Sequence, residues 1–156
     1  MNLAFKIELL KNGLKATLYT VRLKGEPETE FEKFLQDPEI ISSPHFQPLL
    51  VRIDEIANRL GCQENLFKFK ESKFYDPVVA LSRNSLRLYC CRYGNIILIL
   101  GAGGIKKTRT YQEDPKLNRN IAIMAYIAKR IDQRMQDKEI TIKHDQFMGD
   151  LNFDEE

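Results

Sequence analysis

The sequence predicts an α+β fold, in which strands and helices occupy separate stretches of the chain and the sheet is antiparallel. Three observations favour this fold. An Asn12-Gly13 turn joins two segments rich in β-forming residues, which is the pattern of a hairpin. Two amphipathic helical patterns come next, and a group of strands then precedes one long helix. A doubly wound parallel sheet is the weaker alternative, because it requires strands and helices that alternate.

The N-terminal half contains the hairpin and the two shorter helices. Residues 3–9 and 15–23 are expected to be the strands of the hairpin. A helix is expected over residues 27–36, since a proline and several glutamates suit its first turn. Apolar residues at helical spacing predict a second helix over 49–60, and Gly61 is a suitable terminator.

The C-terminal half contains the remaining strands and the long helix. Residues 86–92 are expected to form a strand, 93–95 a tight turn, and the almost wholly apolar 96–100 a central strand. A helix of about 20 residues is expected from Pro115 to near Asp137. Residues 140–142 are rich in β-branched side chains and predict a short strand.

Length and composition indicate one folded domain. The 156 residues are 43% hydrophobic and 29% charged, which is ordinary for a globular chain. We assign residues 1–144 to a single domain and 145–156 to an acidic tail, which is expected to be mobile. Three apolar tail residues could dock instead: Phe147, Leu151 and Phe153.

Membrane insertion and a disulfide framework are not expected. No apolar run approaches the roughly 20 residues needed to span a bilayer. Of the three cysteines, Cys90 and Cys91 are adjacent on a predicted strand, so they point to opposite faces, one buried and one partly exposed. A reducing, cytoplasmic location is the expectation.

Charge is unevenly distributed along the chain, although the net charge is only +2. Residues 66–111 contain nine basic and two acidic residues, whereas 26–39 and 145–156 each have a net charge of −5. A local basic face suits a phosphate-bearing partner. Arg87 and Tyr89 share one face of their strand, where the aromatic ring could stack on a base and the cation could hold a phosphate. The alternative is an ordinary solvated strand, with Tyr89 packed in the core.

The glycine-rich segment 101–108 partly matches a phosphate-binding P-loop. Gly101, Lys107 and Thr108 have the required spacing, but Lys106 stands where the last glycine belongs and no helix follows at once. A nucleotide triphosphatase is therefore a minor alternative. The glycines are equally explained by a flexible break, a sharp strand exit or a bulge.

Metal and acid–base motifs are absent from the sequence. His45 and His144 are far apart and lie in no ligand motif, and no cysteine spacing matches a zinc site. Asp54 and Glu55 are most simply surface residues. No metal or cofactor is expected.

Residues 81–108 resemble the core of RelE/HigB-like toxins. The similarity lies in a strand with Leu86-Arg87 and Arg92-Tyr93, a short turn, the apolar strand 96–100, and a Gly-Gly step before Lys106-Lys107-Thr108. The resemblance implies a curved antiparallel sheet with a helical pair. To that core this chain adds the N-terminal hairpin, and its long helix follows at the C-terminal end.

The resemblance implies a bacterial type II toxin that cleaves ribosome-associated mRNA. Cleavage in that family proceeds by attack of a ribose 2′-hydroxyl on the adjacent phosphate, which requires a base and charge stabilisation. By position, the residues implied to act at the scissile phosphate are Arg87, Arg92 and Lys107. The residues implied to bind RNA are Lys68, Lys70, Arg83, Tyr89, Lys106, Arg109 and Tyr111. No histidine lies in 66–111, so no general base is assigned.

The implied partners are RNA, the ribosome and a cognate antitoxin with a helix-turn-helix. The alternative function is a non-catalytic RelE-like protein that binds such a partner or nucleic acid. In that case the acidic tail 145–156 could cover the basic face of the same chain.

Overall fold

The computed structural model describes residues 1–69, 77–110 and 113–154. They form an α+β structure with one six-stranded sheet, helices on both of its faces and a separate two-stranded sheet. The helices are α1 (Glu30–Gln36), α2 (Pro38–Ile41), α3 (Phe46–Glu55) and α4 (Pro115–Gln136). The strands are β1 (Phe5–Asn12), β2 (Thr17–Leu23), β3 (Val78–Arg83), β4 (Leu86–Tyr93), β5 (Ile97–Ile105), β6 (Ile140–Lys143), β7 (Gln146–Gly149) and β8 (Asn152–Phe153).

The six-stranded sheet is mixed, in the order β3-β4-β5-β2-β1-β8. All neighbouring strands are antiparallel except β2 and β5, which run parallel from Thr17↔Ile97 to Thr20↔Leu100. The expectation of a purely antiparallel sheet was wrong at this pair. The three helices after β2 return the chain to the end of the sheet where β2 begins. The strands β3, β4 and β5 then form a meander, so β5 enters in the direction of β2.

The first N-terminal helix, expected over 27–36, begins at Glu30, so Pro27 lies before the helix and not in its first turn. Helix α1 begins with a capping box, in which the Thr29 hydroxyl accepts from the Glu32 amide at 3.1 Å and the Glu32 carboxylate accepts from the Thr29 amide at 2.9 Å. Helix α3 starts at Phe46, three residues earlier than predicted, and continues as a π-helical turn over Ile56–Leu60. Gly61 ends it with φ 72°, a conformation that favours glycine.

Both faces of the central strands are covered. The α1–α3 side buries Leu88, Cys90 and Leu98 among the helices, and the α4 side buries Tyr89 and Cys91. Consequently Cys90 and Cys91 are both fully buried, and the expectation that one is partly exposed was wrong. Because β4 is covered on both faces, it has no solvated side, although its alternating polar residues are compatible with one.

Residues 101–105 of the glycine-rich segment are a continuous part of β5, so the glycines do not break the strand. The register passes from Leu88↔Gly103 to Cys90↔Leu100, which is the bulge offered as an alternative. A Cβ on Gly103 would lie 1.8 Å from the Arg87 carbonyl oxygen, and one on Gly101 would lie 2.5 Å from the Met124 sulfur. The glycines therefore let β4 and α4 approach β5 closely.

The acidic tail packs on the domain through apolar residues that the sequence analysis identified as able to dock, Phe147 and Phe153. Phe147 is 5% exposed and Phe153 is 1% exposed. Strand β7 pairs with β6, and β8 pairs with the start of β1. On α4, Arg134 lies 3.7 Å from the centre of the Phe153 ring and donates to the carbonyl of Asn152 at 2.7 Å. The expectation of a mobile tail therefore does not describe residues 145–154.

Helix α4 is the longest helix, and its solvent side is strongly charged. Across the three described ranges of the chain, no helix combines the length and apolar character needed to cross a membrane.

Candidate functional site

The structure places Arg87 inside the protein and not on an open face. Its side chain is on the α4 side of β4, and the residue is 5% exposed. One guanidinium nitrogen donates to the carbonyl of Asn84 and, at 3.1 Å, to that of Leu86. These bonds stabilise the β3–β4 turn. The expected contact between Arg87 and a phosphate is contradicted by the burial of its side chain.

Tyr89 and Arg92 also contribute to the structure of the domain. Tyr89 is fully buried beneath α4, so it cannot stack on a base, because helix and sheet enclose it. Arg92 donates to the carbonyl of Cys62 at 2.7 Å and to the side chain of Asn95 at 2.7 Å. It thereby joins the end of the π-helical turn to the β4–β5 turn. The predicted catalytic role of Arg92 is not supported by this geometry.

Lys107 lies on the surface just after β5, where its ammonium forms an ion pair with Glu39 of α2. The hydrogen bond that Lys107 donates to the Glu39 carboxylate raises the pKa of Lys107 above its ordinary value, so this lysine remains a cation. Its side chain is 62% exposed. Of the three predicted catalytic residues, Lys107 is exposed, Arg92 is half-buried and Arg87 is buried.

Two further predicted cations lie at the same end of the sheet. The Lys106 amide donates to the carbonyl of Ser85 at 2.7 Å, which brings the end of β5 against the β3–β4 turn. Arg83 immediately precedes that turn and is exposed. We call Arg83, Lys106 and Lys107 the cation cluster.

The remaining RNA-binding candidates lie elsewhere or are not described. Lys68 is exposed but sits beyond the outer edge of β3, where its backbone pairs with Ala80. Arg109 is exposed in the segment after β5. Lys70 and Tyr111 lie outside the described residues.

A shallow cleft opens beside the cation cluster, with a volume of about 340 Å³. It is lined by residues of the α2–α3 segment, the β3–β4 turn and the end of β5. We call this the sheet-end cleft, and its lining residues are Glu39, Ser42, Ser43, Pro44, His45, Ser85 and Ile105. The cleft thus combines a carboxylate, hydroxyls and an imidazole next to exposed cations.

His45 is the residue that sequence reasoning missed. It occupies the position before α3, and its Nε2 lies 2.7 Å from the Nδ2 atom of Asn84 in the β3–β4 turn. The two residues are 39 apart in sequence, so no local motif could indicate the contact. Asn84 has φ 51°, a left-handed conformation that asparagine tolerates better than most residues. Its carboxamide is therefore presented to His45 by the turn itself.

The arrangement brings together groups that can carry out acid–base chemistry on a phosphate ester. An imidazole beside ammonium and guanidinium groups can move a proton while the cations neutralise phosphate charge. Among residues 1–69, 77–110 and 113–154, histidine, cysteine, aspartate and glutamate form no group of three able to hold a metal ion. The P-loop alternative is also disfavoured, since Lys107 follows a strand and α4 begins only at Pro115.

Comparison of the chain with family models, with curated proteins and with solved structures finds no match.

Proposed function

We propose that this protein is a RelE/HigB-like endonuclease that cleaves ribosome-associated mRNA by attack of a ribose 2′-hydroxyl on the adjacent phosphate. One observation carries the proposal: the exposed Arg83 and Lys107 and the half-buried Lys106 lie at the end of the sheet where a cleft contains the imidazole of His45. In the reaction the 2′-oxygen loses its proton and forms a bond to phosphorus. The bond from phosphorus to the 5′-oxygen breaks, and the 5′-oxygen takes a proton. The products are a 2′,3′-cyclic phosphate and a 5′-hydroxyl.

The cation cluster replaces the central sheet face as the RNA-binding surface in this proposal. Arg87 and Arg92 already donate to carbonyl oxygens, whereas Arg83 and Lys107 are exposed. Three phosphate contacts to a single-stranded RNA predict a slope of about −2 for the logarithm of the binding constant against the logarithm of salt concentration. Backbone contacts of this kind position the RNA without reading its sequence.

The test is inducible expression together with cleavage on programmed ribosomes. Wild-type protein should arrest growth and leave 2′,3′-cyclic phosphate ends on the mRNA. The double variant Arg83→Ala/Lys107→Ala should lose both effects, because it removes two exposed cations without touching the buried Arg87. The double variant Lys24→Ala/Lys143→Ala is the matched control, since it removes two exposed cations elsewhere. Folded wild-type protein that neither arrests growth nor cuts mRNA would contradict the proposal.

A second candidate is a non-catalytic RelE-like protein that binds a helix-turn-helix partner or nucleic acid. It is favoured by the structural use of Arg87 and Arg92 and by the ion pair of Lys107 with Glu39. It predicts RNA binding, or a stable complex with a helix-turn-helix protein encoded next to it, without cleavage products. Binding without cleavage on programmed ribosomes would select this candidate over the first.

A further inference from the structure

We propose that His45, held in place by Asn84, is the general base of the sheet-end cleft and removes the proton from the attacking 2′-hydroxyl. The inference rests on the proposed function and adds the group that the basic segment 66–111 does not contain. It depends on a juxtaposition of two residues from different elements, with 2.7 Å between His45 Nε2 and Asn84 Nδ2. His45 is half-buried on the wall of the cleft. Its ring therefore packs against the protein on one side and is accessible to a ligand on the other.

The carboxamide of Asn84 fixes which imidazole nitrogen acts. The oxygen and nitrogen of an asparagine side chain exchange places when the amide turns by 180°. In the structure Nδ2 of Asn84 faces Nε2 of His45, and the proposal requires the turned amide. In that orientation the amide oxygen accepts the proton on Nε2 and leaves Nδ1 with a lone pair. Nδ1 then takes the 2′-hydroxyl proton, His45 becomes an imidazolium, and the proton passes to solvent. The leaving 5′-oxygen takes an equivalent proton from solvent, so the protons balance.

The charges around the cleft suit this role. Glu39 lines the same cleft as His45, and it faces Lys107 through their ion pair. A phosphate that enters the cleft can exchange places with Glu39 on the Lys107 ammonium. The released carboxylate then remains in the cleft that His45 also lines. Asn84 is thus a positioning residue, and His45 is the catalytic residue.

The test measures single-turnover cleavage of mRNA on programmed ribosomes by folded full-length variants. His45→Ala should lower the rate by about 10²- to 10⁴-fold, the usual contribution of a general base, and added imidazole should restore part of it. Imidazole rescue distinguishes a chemical role from a structural one. The matched control is His144→Asn, which removes the only other histidine, located in the β6–β7 turn with φ 60°. Asparagine tolerates that backbone conformation, and the control should cleave at the wild-type rate.

Asn84→Gly tests the positioning role, because glycine keeps the left-handed turn and removes only the carboxamide. One lost hydrogen bond predicts a rate that is roughly 3- to 10-fold lower, with the half-saturating ribosome concentration unchanged. A His45→Ala rate within about threefold of wild type would overturn the inference and leave the proposed function standing. A loss without imidazole rescue would also overturn it. Wild-type protein that cuts nothing would instead overturn the proposed function, and this inference with it.

Discussion

Arg87 shows how a buried arginine stabilises a turn that the candidate site needs. It is 5% exposed, and its guanidinium donates to the carbonyls of Asn84 and Leu86 at the β3–β4 turn. A charged donor that is removed from such a place leaves buried carbonyl groups without their bonds. Since Asn84 also contacts His45, the position of Arg87 supports the cleft without lining it.

Replacing this arginine should therefore affect stability. We expect Arg87→Ala to lower the free energy of unfolding by about 1.5–3 kcal/mol, because hydrogen bonds from a charged group are lost. Arg83→Ala, four residues earlier on the exposed surface, should change it by no more than about 0.5 kcal/mol. Urea unfolding of both variants measures the difference. Equal stability of the two variants would contradict the structural role of Arg87.

The ion pair between Glu39 and Lys107 is expected to compete with RNA. In Glu39→Gln the Lys107 ammonium loses its carboxylate partner and can contact phosphate without displacing it. We expect RNA affinity at low salt to rise roughly two- to fivefold, the range that an exposed ion pair allows. Glu64→Gln is the control for the same change of net charge at an exposed residue outside the cleft. Fluorescence anisotropy with a single-stranded RNA measures both, and an equal rise in the two would assign the effect to net charge alone.

At the scale of elements, the close packing of β5 between its neighbours depends on its glycines. Gly103 lies opposite Leu88, and the main chain of Arg87 would lie 1.8 Å from a Cβ at this position. On the α4 side, the side chain of Asn120 donates to the carbonyl of Gly103 at 3.0 Å. The glycines are thus explained by packing inside the sheet, and a phosphate cradle is not needed to account for them.

Substitution in β5 should reveal this packing directly. We expect Gly103→Ala to cost about 3 kcal/mol of unfolding free energy or more, because the Cβ would meet the backbone of Arg87 and Leu88, which is held in the sheet. Gly104→Ala should cost roughly 1 kcal/mol, since its Cβ would meet the Leu117 side chain at 2.9 Å, which can move. Thermal and urea unfolding compare the two variants. A Gly103→Ala protein as stable as wild type would show that β5 is not packed as described.

At the scale of the whole molecule, the chain after α4 completes the fold. Phe147 contacts the rings of Tyr19 and Tyr93, and its amide donates to the Tyr19 hydroxyl at 3.0 Å. Phe153 stacks on Phe5 with 4.4 Å between ring centres. These contacts join the last strands to the first ones, on the side of the sheet that α4 covers.

Residues 145–154 should therefore behave as part of the core. We expect Phe147→Ala to lower the free energy of unfolding by about 3–5 kcal/mol, as is usual when a buried phenylalanine is truncated. Met148→Ala is the control, because Met148 is the next residue and is 47% exposed. Urea unfolding of the two variants tests this. Near-equal free energies of unfolding would contradict the packed position of Phe147 and favour a mobile tail.

The acidic tail is not expected to cover the cation cluster. The tail contacts β1 and α4, whereas Lys106 lies against the β3–β4 turn, close to the opposite edge of the sheet. Removal of negative charge in Asp145→Asn/Asp154→Asn should therefore change RNA affinity by less than about twofold at physiological salt, because screening limits the effect of distant charges. A larger rise in affinity, measured by anisotropy, would favour inhibition by the tail.

Local signals were enough to predict most of the elements. The hairpin indicated by Asn12-Gly13, the termination at Gly61 and the helix that starts at Pro115 are all confirmed, and each signal lies in a few neighbouring residues. The hairpin connection is longer than a two-residue turn, since Asn12 pairs with Thr17 and residues 13–16 join the strands. The α+β class follows from the order of those elements. Apolar periodicity was also sufficient to place β4, which the structure extends by one residue to Tyr93.

The burial of those elements and their contacts across the chain depended on packing between distant segments. The alternation in β4 is equally compatible with one free face or with none, and α4 covers the side that carries Arg87 and Tyr89. Likewise, His45 meets Asn84 only because the helices after β2 and the β3–β4 turn arrive at the same end of the sheet. Residue patterns therefore determined local conformation and the location of basic residues along the chain. Tertiary contacts between residues tens of positions apart determine which cations remain exposed and which imidazole lies near them.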